Sequence, residues 1–143
     1  MDTVYQEWFK YLNLVYAKIL QDSIYFNTTQ PIMIDIDNTV LHNSYYEIPG
    51  AVNFVNKLAK HFSIYFVTAR TNTINNRNAT MKSLHNFAYD KLLMRPHEIK
   101  TAIYKYNIKK NINAEISIGD KLTDYPEYLL YCPFNIYPEN IKK

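Results

Sequence analysis

Apolar residues at Val4, Trp8, Leu12, Val15 and Ile19 recur every three or four positions, the spacing of one buried helical face. They predict a helix over about residues 3–25, capped by Asp2 or Thr3 and packed on the core. A polar break, Asn27-Thr28-Thr29-Gln30-Pro31, ends it, because proline pushes the residue before it out of helical geometry. Ile32-Met33-Ile34 then runs apolar without alternation, as a strand covered on both faces must. Ala51 to Leu58 has helical spacing behind Pro49-Gly50, and Ile64-Tyr65-Phe66-Val67 is a second buried strand. Ile74, Met81, Leu84 and Phe87 mark a helix over about residues 74–87, and Lys91 to Met94 reads as a strand stopped by Pro96. The same reading predicts a helix from Glu98 to Tyr106 and a strand over Ile116-Ser117-Ile118. It ends with a helix from Asp124 to Tyr131, with Pro126 in its first turn, and a last strand over Phe134 to Tyr137.

Strands alternating with single helices predict an α/β fold: a three-layer, Rossmann-like parallel sheet of about five strands with helices on both faces, plus the N-terminal helix. The length of 143 residues fits one domain over 1–143, with 1–29 as the N-terminal helical segment. Hydrophobic residues make up 48% of the chain, enough for a core that needs no disulfide or structural metal. No run approaches the roughly 20 apolar residues of a membrane span, and the first residues lack the pattern of a secretory signal. A soluble protein of a reducing, cytoplasmic compartment is the expectation, in keeping with a single cysteine, Cys132. The net charge of +3 comes from scattered lysines, which permits an anionic substrate without forming a nucleic-acid footprint.

In parallel sheets functional groups lie beyond the carboxyl ends of the strands. The residues there are Asp35, Asp37 and Thr39 after the first strand and Thr68 and Arg70 after the second. Arg95 follows the third, and Gly119-Asp120 with Asp124 the fourth. Asp35 and Asp37 are two apart, so pleat alternation sends both carboxylates to one side. Their repulsion becomes tolerable around a hard divalent cation, which Asp120 and Asp124 would join. Oxygen-only ligands with room for water and phosphate suit Mg²⁺ better than zinc. An isolated Asp-x-Asp also fits a capped turn, but a turn cap leaves unexplained Thr68, a basic residue and Gly119 to Asp124 after other strands.

IMIDIDNTVLHN resembles the first motif of the haloacid dehalogenase-like (HAD-like) phosphatases, FVTAR their second and ISIGDKLTD their fourth. An aromatic N-terminal helix followed by DIDNT, VTAR, RNATMKSLHNF and YDKLLMRP extends the resemblance to their acid-phosphatase-like branch (subfamily III). The LLMRP stretch also resembles the phosphatase domain of polynucleotide kinase-phosphatases. The resemblance implies that Asp35 is a nucleophile forming an aspartyl phosphate and that Asp37 is the general acid and then base. It further implies that Thr68 binds a phosphoryl oxygen, that Asp120 holds Mg²⁺ with the backbone carbonyl of Asp37, and that Asp124 supports the metal or a lysine. A lysine near the start of the helix before the fourth strand should offset charge on the transferring group. Lys100 fits best, about 20 residues before Asp120, with Lys105 the alternative deeper in the same helix.

Arg70 and Arg95 are candidates for substrate contact, the alternative being pairing with a carboxylate. His42, His61, His85 and His97 show no ligand spacing. The intervals from Thr39 to Thr68 and from Thr68 to Lys100 leave no room for a large cap domain. An open site accepts a phosphate on a small molecule, a protein or a nucleic-acid end, or is closed by a partner subunit. Tyr45 and Tyr46 follow the first motif, where their rings can stack on a nucleobase or simply pack in the loop. The expected activity is Mg²⁺-dependent phosphomonoester hydrolysis. The competing reading is a non-catalytic, phosphate-responsive or scaffold domain that keeps the acidic pocket.

Overall fold

The chain is described from a computed structural model, which covers residues 3–26 and 30–130. Its elements in order are α1 (Thr3–Asp22), β1 (Ile32–Ile34), β2 (Leu41–His42), β3 (Tyr46–Glu47), α2 (Ala51–Leu58), β4 (Ile64–Thr71), α3 (Ile74–Ser83), β5 (Lys91–Arg95), α4 (Thr101–Asn111), β6 (Ile116–Gly119) and β7 (Tyr128–Leu129). Five strands form one parallel sheet in the order β5-β4-β1-β6-β7, while β2 and β3 make a small antiparallel hairpin. The three-layer α/β architecture expected from the strand and helix pattern is the one found. Among the described residues no helix is long and apolar enough to cross a membrane.

Strand parity explains the layers. Ile32, Ile34, Ile64, Phe66, Leu92, Met94, Ile116 and Ile118 join one core with α1 and α2, while Met33 and Val67 join a second with Tyr104 of α4. Alternate residues of a strand face opposite sides, so an unbroken apolar run is what a doubly covered strand requires. The register Ile32↔Ile64 and Ile32↔Ile116 brings residues of like parity side by side across three strands. The predicted face of α1 is the buried one: Trp8, Leu12, Val15 and Ile19 lie in the core. The Trp8 indole donates to the Pro49 carbonyl at 2.7 Å, which satisfies the one polar atom that this burial removes from water. Gly50 caps α2 with φ +83°, where a Cβ would press on Leu12 and Phe9 of α1.

Four expectations change. Over its described residues, 124–130, the segment predicted as a helix from Asp124 to Tyr131 instead begins at the end of a 3-10 turn, Leu122–Asp124, and continues into β7 along the edge of β6. Three tethers outweigh the helical spacing there. Glu127 accepts the Ser117 N–H and pairs with Lys109, Tyr128 bonds to Asp22 on α1, and Leu130 is fully buried. The sheet's fifth described strand is therefore β7, and the strand expected over Phe134 to Tyr137, like Cys132, lies outside the described residues.

The helix expected from Glu98 runs instead from Thr101 to Asn111. The Arg95 guanidinium holds the carbonyls of Ala69, His97 and Ile99, which keeps residues 96–100 out of helical geometry. In α3, Ile74 and Met81 are exposed, and only Thr80 and Leu84 at its end are buried. The polar loop after β1 contains the β2–β3 hairpin, which periodicity could not reveal because each strand is two residues long.

Candidate active site

The chain leaves β1 for β4 and β5 on one side and returns for β6 and β7 on the other, so the strand order reverses between β1 and β6. At such a switch point the loops at the carboxyl ends diverge and leave a crevice. Asp35 follows β1 there and Asp120 follows β6, and the Asp35 N–H donates to the Ile118 carbonyl at 2.9 Å. One carboxylate oxygen from each of Asp35, Asp120 and Asp124 lies within 4.8 Å of the others. Asp35 and Asp124 are buried, and Asp120 is half-buried.

Asp124 reaches the cluster because the 3-10 turn folds it back against Gly119. A Cβ at Gly119 would collide with the Asp124 side chain, so the smallest residue is needed at the end of β6. The Ser117 hydroxyl donates to the Asp124 carbonyl at 2.7 Å, and the Lys121 N–H donates to Asp124 Oδ2 at 3.0 Å. Tyr125, with φ 48°, then turns the chain towards β7.

Lys105 supplies the positive charge. Its Nζ lies 2.6 Å from Asp35 Oδ1 and 2.5 Å from Asp124 Oδ1, with its side chain 3% exposed. Burial opposes charge on Lys105, but the two carboxylates outweigh it and hold its pKa above the ordinary lysine value. Burial pushes the Asp35 carboxyl up to about 7, with Lys105 pulling against that and the Asp124 charge adding to it. One ammonium therefore does not neutralise this cluster. The Thr39 hydroxyl lies 3.2 Å from Asp35 Oδ2 and 3.4 Å from Asp120 Oδ1. With a single proton it can donate fully to only one of them.

Asp37 stands apart from the three-carboxylate cluster. After Ile36 the chain turns sharply, with the Ile36 carbonyl accepting N–H groups from Thr39, Val40 and Leu41 and with Asn38 at φ 64°. The Asp37 carboxylate meets Arg70, Nε to Oδ2 at 3.0 Å and Nη2 to Oδ1 at 2.7 Å. Arg70 Nη1 donates to the Thr80 hydroxyl at 2.9 Å, and Nη2 also donates to the Ser44 carbonyl at 3.1 Å. All three guanidinium nitrogens are thus committed to protein groups.

Thr68, expected just after the second strand, lies fully buried inside β4, which runs on to Thr71, and its hydroxyl accepts the Arg70 N–H at 3.1 Å. Lys100 is exposed at the N-cap of α4, whereas Lys105 carries the ammonium that meets Asp35. Of the two candidate lysines, the deeper one is the one that meets Asp35, and α4 begins three residues later than its sequence signals. Arg95 caps backbone carbonyls. Tyr45 is 69% exposed and Tyr46 half-buried on the β2–β3 hairpin. Sequence reading named Thr39 and Gly119 only as residues following strands and missed Thr80 and Ser117. These last two are small hydroxyl residues whose partners, Arg70 and the Asp124 carbonyl, lie outside their own elements, which periodicity within an element does not report.

An all-oxygen donor set of three aspartates, short of positive charge, fits a hard divalent cation. Asp35, Asp120 and Asp124 are the residues that would hold it.

No family model matches the sequence, and no curated protein matches it. Solved structures do share the fold. A chain in the structure of the Pnkp1/Rnl/Hen1 complex is similar at TM-score 0.54 and 20% identity, over 70% of this chain and 42% of that one. A chain in the structure of the Pnkp1/Rnl/Hen1 RNA repair complex is similar at TM-score 0.53 and 18% identity, over 68% and 38%. The protein thus matches under half the length of these neighbours.

Proposed function

We propose that this chain is a HAD-like, Mg²⁺-dependent phosphomonoester hydrolase acting through an aspartyl phosphate, on the phosphate of a nucleotide or nucleic-acid end. The observation that carries the reading is the buried Asp35–Lys105–Asp124 constellation at the switch point, with Asp120 beside it. The fold shared with chains of an RNA repair complex supports a nucleic-acid substrate class.

In this reading an Asp35 oxygen attacks phosphorus, and the bond from phosphorus to the leaving oxygen breaks as Asp37 gives that oxygen a proton. Asp37 then takes a proton from water, the water oxygen attacks the same phosphorus, and inorganic phosphate leaves as the Asp35 carboxylate is restored. Positioned proton transfer of this kind contributes about 10² to 10⁴ in rate. Arg70 holds Asp37 by both oxygens and so fixes its position, and the acid role requires Asp37 to take up a proton on a lone pair that Arg70 leaves open. Lys105, fixed against Asp35, counters charge on the transferring phosphoryl group, and the Thr68 hydroxyl offers that group a hydrogen bond. A bound Mg²⁺ supplies charge neutralisation that lets an ionised carboxylate and an anionic phosphate share the site.

The test is hydrolysis of p-nitrophenyl phosphate by the purified chain with Mg²⁺ and with chelator. Turnover that needs the cation and vanishes in Asp35→Asn is the expected result. Folded protein that binds Mg²⁺ without turning over this phosphate or a nucleotide phosphate would instead make it a non-catalytic, phosphate-responsive domain.

A further inference from the structure

A groove of about 880 Å³ runs between the β2–β3 hairpin and the end of α3, lined by Tyr45, Tyr46, Lys82, Ser83, His85 and Asn86 among others. It adjoins the candidate site through one backbone group. The Ser44 carbonyl accepts from Arg70 Nη2 at 3.1 Å and from the Ser83 hydroxyl at 3.4 Å, and that same Nη2 holds Asp37. The groove thus neighbours the Asp37–Arg70 pair through Ser44, on the side where a leaving group would depart if Asp37 protonates it. Its chemistry is selective. Tyr45 presents an aromatic ring 69% open to solvent. Lys82 and His85 are exposed on the opposite wall. Among the described residues the only carboxylate lining the groove, Glu47, accepts the Asn86 side-chain N–H at 2.8 Å.

We infer that this groove seats the nucleotide adjoining the scissile phosphate of a single-stranded nucleic-acid end, its base on Tyr45 and its internucleotide phosphate at Lys82. An open ring suits a base because every base offers a flat face. A lysine one wall away suits a polyanion, and a volume near the upper end of small-ligand pockets exceeds what a lone phosphate needs. The inference rests on the phosphatase reading for the direction of the leaving group, and it narrows the substrate from a nucleotide or nucleic-acid end to a single-stranded polymer end.

Binding tests it independently of turnover. Fluorescein-labelled RNA hexamers phosphorylated at the 5′ or at the 3′ end are titrated by anisotropy onto the full chain carrying Asp35→Asn, with Tyr45→Ala or Lys82→Ala added. The expected result is an affinity loss of about tenfold for Tyr45→Ala, within the range of one lost base–aromatic stack. Lys82→Ala should flatten the slope of log affinity against log salt by about 0.7, as one lost phosphate contact on a single strand does. In the Asp35 enzyme, Lys82→Ala should lower kcat/KM on the hexamer by a larger factor than on p-nitrophenyl phosphate. Hexamer binding unaltered by both variants overturns the groove assignment while leaving the phosphatase reading intact. Absent turnover on every phosphate, with hexamer binding lost in Tyr45→Ala, sinks the phosphatase reading and leaves the groove as a binding site. A phosphoserine hexapeptide that competes as well as the RNA overturns the choice of nucleic acid.

Discussion

Asp37 and Arg70 are joined in a two-point ion pair, Nε to Oδ2 at 3.0 Å and Nη2 to Oδ1 at 2.7 Å, across 33 residues of chain. The guanidinium is itself clamped by Thr80 and the Ser44 carbonyl. This pair fixes the Asp37 carboxylate at both oxygens. Lysine cannot reproduce a two-point hold. Arg70→Lys should therefore lower kcat about 10²-fold, inside the range of positioned proton transfer, with KM little changed. A variant with normal kcat would show that Asp37 needs no guide.

Lys105 is the charge that makes two buried carboxylates tolerable in the absence of a cation. Lys105→Met should cost about 3 to 5 kcal/mol in urea unfolding of the metal-free protein, the usual consequence of stranding buried charge. Added Mg²⁺ should return part of that loss. Turnover should disappear with Lys105→Met and persist with Lys100→Met, whose side chain is exposed at the start of α4. The opposite pattern would restore Lys100 as the functional lysine.

Gly119 lies against Asp124 with no space for a methyl group. Gly119→Ala must push the 3-10 turn outward and take Asp124 away from Lys105. The expected outcome is folded protein whose Mg²⁺ affinity, read by calorimetry, falls at least tenfold. Unchanged affinity would mean that Asp124 does not help hold the cation.

Burial raises the Asp35 carboxyl to about 7 in the cation-free protein, against an ordinary value of 3.8. Between those values the folded state holds a proton that the unfolded state has released, so stability falls as pH rises through that window. A cation binds the ionised form. Mg²⁺ binding should thus release close to one proton at pH 6 and almost none above pH 8, and its affinity should climb with pH up to about 7. Calorimetry in buffers of different ionisation enthalpy counts those protons, and a count of zero at pH 6 would remove Asp35 as a titrating ligand.

Tyr128 donates to Asp22 at 2.5 Å and ties β7 to the end of α1. The bond holds the Asp22 carboxyl below the ordinary value, so its contribution is present at neutral pH and lost as pH falls through that lowered value. Tyr128→Phe should lower the urea midpoint at pH 7 by a small amount, and the difference from the parent should vanish in strong acid. A difference that persists in acid would assign the effect to packing.

The amino-acid pattern alone determined the layers of this protein and the places where its carboxylates gather. Ile32 to Ile34, Ile64 to Val67, Leu92 to Met94 and Ile116 to Ile118 are short apolar runs, and a strand covered on both faces has no other way to be written. Asp35 and Thr68 follow those runs directly and Asp120 comes after Gly119, so the candidate chemistry was legible from the runs, although β4 itself continues to Thr71. Tertiary structure alone decided which lysine meets Asp35, that Arg70 takes Asp37, and that residues 128–129 extend the sheet. Each of these turns on partners far apart in the chain: Asp35 and Lys105 are 70 positions apart, and Arg95 delays α4 by holding the carbonyls of Ala69, His97 and Ile99. Local periodicity reports the burial of apolar side chains. The pairing of buried charges depends on where packed elements bring them, and that is settled only when the sheet is assembled.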